Sequence, residues 1–186
     1  MNKIYLPIIL GTTREGRMSE LAAKAVEKIV VQISEDITTE IIDPRNLNLP
    51  EDGTASLNPD FQEKIKQADG FIFVTPEYNH SFPPSLKRIL DAEKDLSPYR
   101  IKPAIIAGVS SGMWGGVRVI EALLPVLRAL DIYVGSRDIH FYKVQEQFDE
   151  SGELLNPQIA TEVEKAVLDL VKKAKILKSG RESLVA

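Results

Sequence analysis

Three short segments of the chain carry residues that could bind an anion or a flat ring. The first, residues 11 to 19, joins an apolar run directly to a helical pattern, which aims free main-chain N–H groups at an anion. Thr12 and Ser19 can donate hydroxyl hydrogen bonds, and Arg14 and Arg17 can neutralise a phosphate. The segment lacks the Gly-Lys-Ser/Thr of a P-loop and the Gly-x-Gly-x-x-Gly of a dinucleotide fold. The alternative is a helix cap at Ser19 beside two solvated arginines.

The second segment, residues 75 to 84, is stiffened by prolines at both ends. It presents Tyr78, Asn79 and His80 together, and such a rigid loop can offer main-chain groups to a flat heterocycle. A structural turn with Tyr78 packed inward is the alternative. The third segment, residues 109 to 116, has three glycines that permit close approach to a ligand, although a plain glycine-rich turn would look the same.

The elements between these segments alternate between strand-like apolar runs and amphipathic helical stretches. Strands are predicted at residues 3–10, 37–43, 71–75, 104–109 and 132–134, and helices from residue 18 to 33, from the Pro83-Pro84 pair, over 117–130 and through 163–177. This alternation predicts an α/β fold with a parallel sheet and helices on both faces. Pro7 conflicts with a continuous first strand, because it has no N–H to donate. The three unusual segments follow strands, so they should meet at one edge of the sheet and form a mononucleotide site.

Composition excludes several classes of function. The chain has 186 residues, a length that fits one domain, and no cysteine, which excludes disulfides, thiolate nucleophiles and Cys-ligated metals. The net charge of −4 gives no electrostatic basis for binding nucleic acid or anionic membranes. The apolar run after Lys3 is interrupted by proline and lacks a cleavage site, so it is interpreted as a strand rather than a signal peptide. A cytoplasmic location is expected.

On these residues the chain resembles the NADPH-dependent FMN reductase family, which includes flavodoxin-like quinone, chromate and azo-dye reductases. Pro76-Glu77-Tyr78-Asn79 matches a family motif without change, and the resemblance runs from Lys3 to about Lys178. The first segment resembles the family's Gly-Ser-x-Arg-x-x-Ser-x-Asn motif, with Thr12, Arg17 and Ser19 as replacements. The resemblance implies a flavodoxin-like three-layer sandwich over residues 1–186, with a five-stranded parallel sheet in the order 2-1-3-4-5.

The resemblance also implies bound FMN as cofactor, NAD(P)H as co-substrate and a ping-pong hydride transfer to a quinone, flavin, azo dye or metal oxyanion. Such a cycle demands no general acid or base, so no catalytic side chain is predicted, and main-chain N–H groups of the Pro-Glu-Tyr-Asn motif would lie near the N1–O2 edge of the ring. The implied FMN-binding residues hold the phosphate (Thr12, Arg14, Arg17, Met18 and Ser19), contact the ring (Pro76, Glu77, Tyr78 and Asn79) or close its other side (Ser110, Ser111, Gly112 and Gly115).

Other features have simpler interpretations. Glu77 and His80 are assigned to loop contacts or the rim of the site, since two histidines in the whole chain make a metal site a poor hypothesis. Asp43 lies too far from Gly11 to be the ribose-binding acid of a dehydrogenase and is interpreted as a turn starter before Pro44.

The predicted helix over residues 117–130 is apolar around nearly its whole circumference, with Pro125 expected to kink it. It should therefore be buried on two sides, by the sheet and by a second subunit in a homodimer or homotetramer. Cover from the C-terminal segment is the alternative. Two competing functions remain open at this point: a flavodoxin-type electron carrier without NAD(P)H turnover, and a flavin-free interaction protein.

Overall fold

Short parallel strands form the centre of the molecule. The computed structural model describes residues 3–48, 58–92 and 95–185. The strands in chain order are β1 (Ile4–Tyr5), β2 (Ile8–Leu10), β3 (Ile37–Thr38), β4 (Ile41–Ile42), β5 (Phe71–Pro76), β6 (Lys102–Val109), β7 (Ile132–Val134) and β8 (Ile139–Phe141). The main sheet has the order β4-β2-β5-β6-β7, with β8 also pairing with β6, while β1 pairs with β3. All of these pairings are parallel.

The prediction of five strands is wrong in two respects. The first predicted strand is divided into β1 and β2 and the second into β3 and β4, whereas the last one, residues 132–134, is β7 as predicted. The strand β8 is additional and was not predicted from the sequence. When β1 with β2 and β3 with β4 are each counted as one strand, the path of the sheet has the predicted order 2-1-3-4-5, and β8 lies off this path beside β6.

Pro7 explains the first division. The N–H groups of Leu6 and Ile8 donate to Thr38 and Glu40 at 2.9 Å, so the ladder toward the second strand continues past the proline. The Pro7 carbonyl accepts from Ile72 N–H on the other side at 3.1 Å, but its nitrogen has no proton to return. The proline therefore removes one donor on the side facing β5.

Five α-helices cover the two faces of the sheet: α1 (Ser19–Ile33), α2 (Pro59–Gln67), α3 (Pro84–Asp91), α4 (Val117–Ala129) and α5 (Pro157–Val185). Strand alternation sends side chains to both faces. Ile72 and Val74 of β5 pack under α1 and α5, whereas Phe71 and Phe73 pack under α2, α3 and α4. The α/β prediction with helices on both faces is confirmed. Among the described residues, none of the helices combines the length and the apolar character needed to cross a bilayer.

Helix α2 was not expected from the sequence. Asn58 caps it by accepting from the N–H groups of Asp60 and Phe61 at 3.0 and 3.2 Å, and Pro59 occupies the first turn. The Asn-Pro pair is the signal that could have located the start of this helix.

A close main-chain crossing fixes the loop after β6. A Cβ atom on Gly108 would lie 2.6 Å from the carbonyl oxygen of Gly115 and 2.9 Å from that of Gly116, and main-chain atoms cannot move aside as a flexible side chain can. Glycine at position 108 therefore allows the third segment to fold back over the end of β6.

We expect Gly108→Ala to lower the free energy of unfolding by about 1–3 kcal/mol, the usual cost of forcing an extra methyl into a packed site. Gly180→Ala in α5 is the matched control, because nothing lies within 4 Å of the added Cβ. A helical Gly-to-Ala change there should be neutral or stabilise by up to about 1 kcal/mol. Urea unfolding of both variants measures the difference, and equal stabilities would contradict the crossing.

Candidate functional site

The three segments singled out in the sequence meet at the carboxyl ends of β2, β5 and β6. They enclose a cavity of about 310 Å³, which we name the flavin cavity after the cofactor that the resemblance predicts there. Of the predicted site residues, those lining it are Arg14, Arg17, Met18, Ser19, Pro76, Glu77, Tyr78, Ser110 and Ser111. The structure thus brings together side chains that lie almost 100 positions apart in the sequence, and it places them where an open parallel sheet binds ligands.

Arg17 is buried and paired with acidic side chains. Its side chain is 3% exposed, and Nη2 lies 2.5 Å from Asp43 Oδ2 and 3.4 Å from Glu20 Oε2. Nη1 donates to the carbonyl oxygen of Thr12 and to Asp43 Oδ1. A buried guanidinium is stable only when its charge and donors are satisfied, so these contacts fix the first segment against the end of β4.

Asp43 serves both as a turn starter and as the partner of this arginine. Its carboxylate accepts from Arg45 N–H at 3.0 Å and caps the 3₁₀ turn Pro44–Asn46, which confirms the turn prediction. Burial alone would raise the pKa of Asp43, but hydrogen bonds from Arg17 and Arg45 hold it well below its ordinary value. The carboxylate is therefore ionised at neutral pH.

Two buried donors at the first segment lack acceptors within the described part of the chain. These are the hydroxyl of Ser19, which is 2% exposed, and Nε of Arg17. Both residues line the flavin cavity, and Ser19 opens helix α1, where the helix dipole favours negative charge. Unsatisfied buried donors are rare, and together they fit a phosphate group.

The first and second segments are joined directly. Thr12 Oγ1 and the Tyr78 hydroxyl share a hydrogen bond of 2.9 Å, and the Arg14 guanidinium lies 5.6 Å from the centre of the Tyr78 ring. Arg14 itself is exposed. Thr12 does not line the flavin cavity itself. Its hydrogen bond holds the side chain of Tyr78, which does line the cavity.

The second segment is a tight hairpin. Tyr78 and Ser81 exchange main-chain hydrogen bonds of 2.8 and 2.9 Å around Asn79 and His80, which have positive φ angles of 48° and 65°. Both turn residues are exposed, and neither lines the flavin cavity. The Tyr78 amide is used within the hairpin and the Glu77 amide donates to Val109 at 3.1 Å. Of the main-chain N–H groups in the Pro-Glu-Tyr-Asn motif that were predicted to face the ring, those of Glu77 and Tyr78 are thus engaged within the protein, and Asn79 lies outside the cavity lining.

Glu77 has a partner that the sequence did not suggest. Its Oε1 lies 3.0 Å from Nη1 of Arg118, the second residue of α4. The pairing neutralises a carboxylate in the cavity wall and ties the second segment to the helix that follows the third.

The third segment is held by main-chain and glycine contacts. Ser110 Oγ accepts from the Gly112 amide at 3.0 Å, and the Ser110 carbonyl accepts from the Val144 amide at 3.1 Å. Gly115, with φ of 56°, is buried, and a Cβ there would lie 2.7 Å from that of His140. Gly112 and Gly115 shape the loop and do not line the flavin cavity. The cavity is also lined by residues that the sequence did not single out: Glu15, Gly16, Val109 and Val144.

Comparison with known proteins agrees with this geometry. The NADPH-dependent FMN reductase family matches residues 5–143. The chain is 28% identical to an NAD(P)H-dependent FMN reductase of Pseudomonas aeruginosa over 156 residues, covering 80% of this chain and 84% of that protein. It is 32% identical to a quinone reductase of Escherichia coli over 142 residues, covering 71% of this chain and 73% of that one.

The chain belongs to the NADPH-dependent FMN reductase family. Membership makes it an oxidoreductase with FMN as cofactor and NAD(P)H as co-substrate. The fold agrees, since the flavoenzyme FerB of Paracoccus denitrificans superposes with a TM-score of 0.76 at 18% identity, over 92% of this chain and 97% of that one. The individual FMN contacts remain predictions for this member of the FMN reductase family.

If Arg14 neutralises the flavin phosphate, Arg14→Ala should weaken FMN binding about ten- to hundred-fold, the value of one hydrogen bond to a charged group. Quenching of flavin fluorescence on titration of the apoprotein measures the dissociation constant. Arg100→Ala is the control, because Arg100 is exposed and lies outside the flavin cavity. An unchanged FMN affinity in Arg14→Ala would remove this residue from the site.

We expect Asp43→Asn to cost about 1–3 kcal/mol of stability at pH 7, because charged hydrogen bonds to Arg17 and Arg45 are lost. The pKa of Asp43 is lower in the folded state than in the unfolded chain, so its contribution is complete above the unfolded value and declines as the pH falls. The gap in unfolding free energy between wild type and variant should then shrink between about pH 5 and about pH 2. Asp36→Asn, at an exposed carboxylate, is the control. A gap that does not depend on pH would contradict the pairing.

Proposed function

We propose that the protein binds FMN in the flavin cavity, oxidises NAD(P)H there and reduces a quinone, flavin, azo dye or metal oxyanion in a ping-pong cycle. The three segments would hold FMN, which would supply a carrier for two electrons between NAD(P)H and the acceptor. The observation that carries the proposal is the convergence of all three segments on one cavity with unpartnered buried donors at one end.

The first segment would hold the phosphate. Ser19 Oγ and Arg17 Nε are buried and lack acceptors in the described part of the chain, and the N-terminus of α1 adds a favourable dipole. Arg14 is exposed, lies beside the Tyr78 ring and lines the flavin cavity, so its guanidinium would add a positive charge for the phosphate. Both Nη atoms of Arg17 bind Asp43, so the charge of this arginine is already paired with a carboxylate. Only its Nε–H would donate to the phosphate.

The second and third segments would hold the ring. Tyr78 is fixed by Thr12, and the main-chain N–H of Asn79 would be the group of the Pro-Glu-Tyr-Asn motif that donates to the ring, because those of Glu77 and Tyr78 are already bonded. On the opposite side Ser110 and Ser111 supply hydroxyls, while Gly112 and Gly115 keep the main chain close. The Glu77 carboxylate is paired with Arg118 and is assigned no proton transfer.

Exposed apolar side chains beside the cavity suit a flat acceptor. Met113 and Trp114 of the third segment are 69% and 68% exposed. Aromatic and thioether surfaces bind many planar molecules without strict hydrogen-bond requirements, which supports a broad choice of acceptors. The same entrance would admit the nicotinamide ring first and the acceptor after it leaves, as a ping-pong order requires. A cytoplasmic location, where NAD(P)H is available, is part of the proposal.

The proposal predicts that the FMN-loaded protein loses its visible flavin absorbance when NADPH is added without oxygen, and regains it when a quinone is added. Initial rates at several quinone concentrations should give parallel double-reciprocal lines. Colour without bleaching by NADPH or NADH would instead indicate an electron carrier. Failure to bind FMN would indicate an interaction protein.

We also propose that α4 contributes to a subunit interface in a homodimer or homotetramer. Val119, Ile120, Leu123 and Leu127 are buried, and Leu124 and Val126 are partly buried against the same core as Ile120, Leu123 and Leu127. Val117 is 40% exposed and, with Met113 and Trp114, continues an apolar surface next to the flavin cavity. Contiguous apolar surface of this kind marks an interaction site.

Light scattering at micromolar concentration should give at least twice the chain mass of 20.7 kDa. Val117→Glu places a charge in the proposed interface and should shift the protein toward monomer. Val31→Glu is the control, because Val31 is an exposed valine on α1. A monomeric wild type, or equal masses for both variants, would refute the interface.

A further inference from the structure

The ion pair between Glu77 and Arg118 joins the wall of the flavin cavity to the start of α4. Glu77 Oε1 lies 3.0 Å from Nη1 of Arg118, although the two residues are 41 positions apart in the chain. The Glu77 side chain is 11% exposed, whereas that of Arg118 is 48% exposed. The carboxylate is therefore largely shielded from water in the cavity wall, and its cation reaches it from the surface.

Glu77 lies in the part of the cavity that would hold the ring. Its main-chain N–H donates to the carbonyl oxygen of Val109, so it is placed where the second segment meets the third. Glu15, the other carboxylate among the residues that line the cavity, belongs to the first segment and is exposed. In the proposed function the second and third segments hold the ring and the first holds the phosphate. Glu77 is thus the carboxylate that would lie beside the ring.

The position of Arg118 is unfavourable for the helix that carries it. Arg118 belongs to the first turn of α4, which is Val117-Arg118-Val119-Ile120, and the preceding Gly116 has no side chain to cap this turn. The N-terminus is the positive end of a helix dipole, and a cation there is destabilising. Residues that contradict the local preference of their element are expected where function requires them. The pairing with Glu77 gives this cation a partner outside its own helix.

The main chain at the start of α4 is fixed independently of the ion pair. A Cβ atom on Gly116 would lie 2.8 Å from the Cα of Gly108, so this part of the chain rests directly on β6. The N–H of Val117 donates to the carbonyl oxygen of Trp114 at 3.2 Å. Arg118 therefore extends from a rigid support, and its guanidinium can hold a carboxylate in one place.

We propose that Arg118 is a positioning residue that prevents the charge of Glu77 from opposing the reduction of FMN. The inference rests on the proposed function, since it requires the ring beside Glu77. Transfer of a hydride from NAD(P)H adds one negative charge to the bound flavin. A carboxylate without its cation, in a wall shielded from water, would repel this charge, whereas a carboxylate paired with a guanidinium at 3.0 Å would not. Arg118 thus acts on the flavin through Glu77.

The test compares the affinities of one protein for oxidised and for reduced FMN. In Arg118→Ala the dissociation constant of reduced FMN, divided by that of oxidised FMN, should rise about tenfold. The midpoint potential of bound FMN should then fall by about 30 mV, the equivalent of a tenfold change for a two-electron couple. Fluorescence titration gives the constant for oxidised FMN, and redox titration against a reference dye gives the potential. A merely structural role for Arg118 would weaken the binding of both forms equally and leave the potential unchanged.

Further variants separate charge from other effects of the substitution. Arg118→Gln keeps a polar side chain without the charge and should lower the potential as Arg118→Ala does, whereas Arg118→Lys should keep it near the wild-type value. The double variant Glu77→Gln/Arg118→Ala should return to the wild-type potential, because neither charge remains. Arg128→Ala is the matched control, since it removes an exposed arginine from the last turn of the same helix, and its potential should equal that of the wild type.

The possible failures are distinguishable. If the wild type binds FMN and is reduced by NAD(P)H, but Arg118→Ala and Arg118→Gln have its midpoint potential, this inference is overturned and the proposed function stands. A double variant whose potential stays as low as that of Arg118→Ala would also overturn the inference, because Arg118 would then act on the flavin without Glu77. A wild type that binds no FMN would overturn both the inference and the proposed function.

Discussion

The buried ion pair between Arg17 and Asp43 is the interaction on which the candidate site depends. A guanidinium that is 3% exposed cannot remain there without a carboxylate, and Asp43 comes from the end of the neighbouring strand. The pair therefore fixes the loop after β2 in one conformation before any ligand arrives. In that conformation the Ser19 hydroxyl and Arg17 Nε are buried without acceptors in the described part of the chain. Burying unsatisfied donors costs stability, and an anion that accepts hydrogen bonds from both would remove this cost.

Further hydrogen bonds and ion pairs connect the first segment to the rest of the site. Thr12, whose carbonyl accepts from Arg17, also bonds the Tyr78 hydroxyl, so the phosphate end and the ring end of the cavity are mechanically joined. Glu77 reaches α4 through Arg118, and the α4 surface continues to the exposed Trp114. Asp43 also binds Arg45, which follows it in the turn after β4.

The sequence was most informative where function needs residues that are adjacent in the chain. The Pro76-Glu77-Tyr78-Asn79 motif and the helix start at Ser19 are local features, and parallel strands bring the loops after them to one edge. Pairings across distance were not predictable: Arg17 with Asp43, Glu77 with Arg118, and Val144 beside Ser110 depend on the folded register. The break between β1 and β2 has a local cause at Pro7, which the sequence shows, whereas no residue of the sequence predicted the break between β3 and β4.

The central claim is that the first segment binds the flavin through its phosphate. The most direct measurement compares the affinities of the apoprotein for FMN and for riboflavin, which has the same ring and lacks the phosphate. Several charge-assisted hydrogen bonds predict that FMN binds at least about a hundredfold more tightly. Equal affinity for the two flavins would contradict the account, because the ring alone would then be responsible for binding.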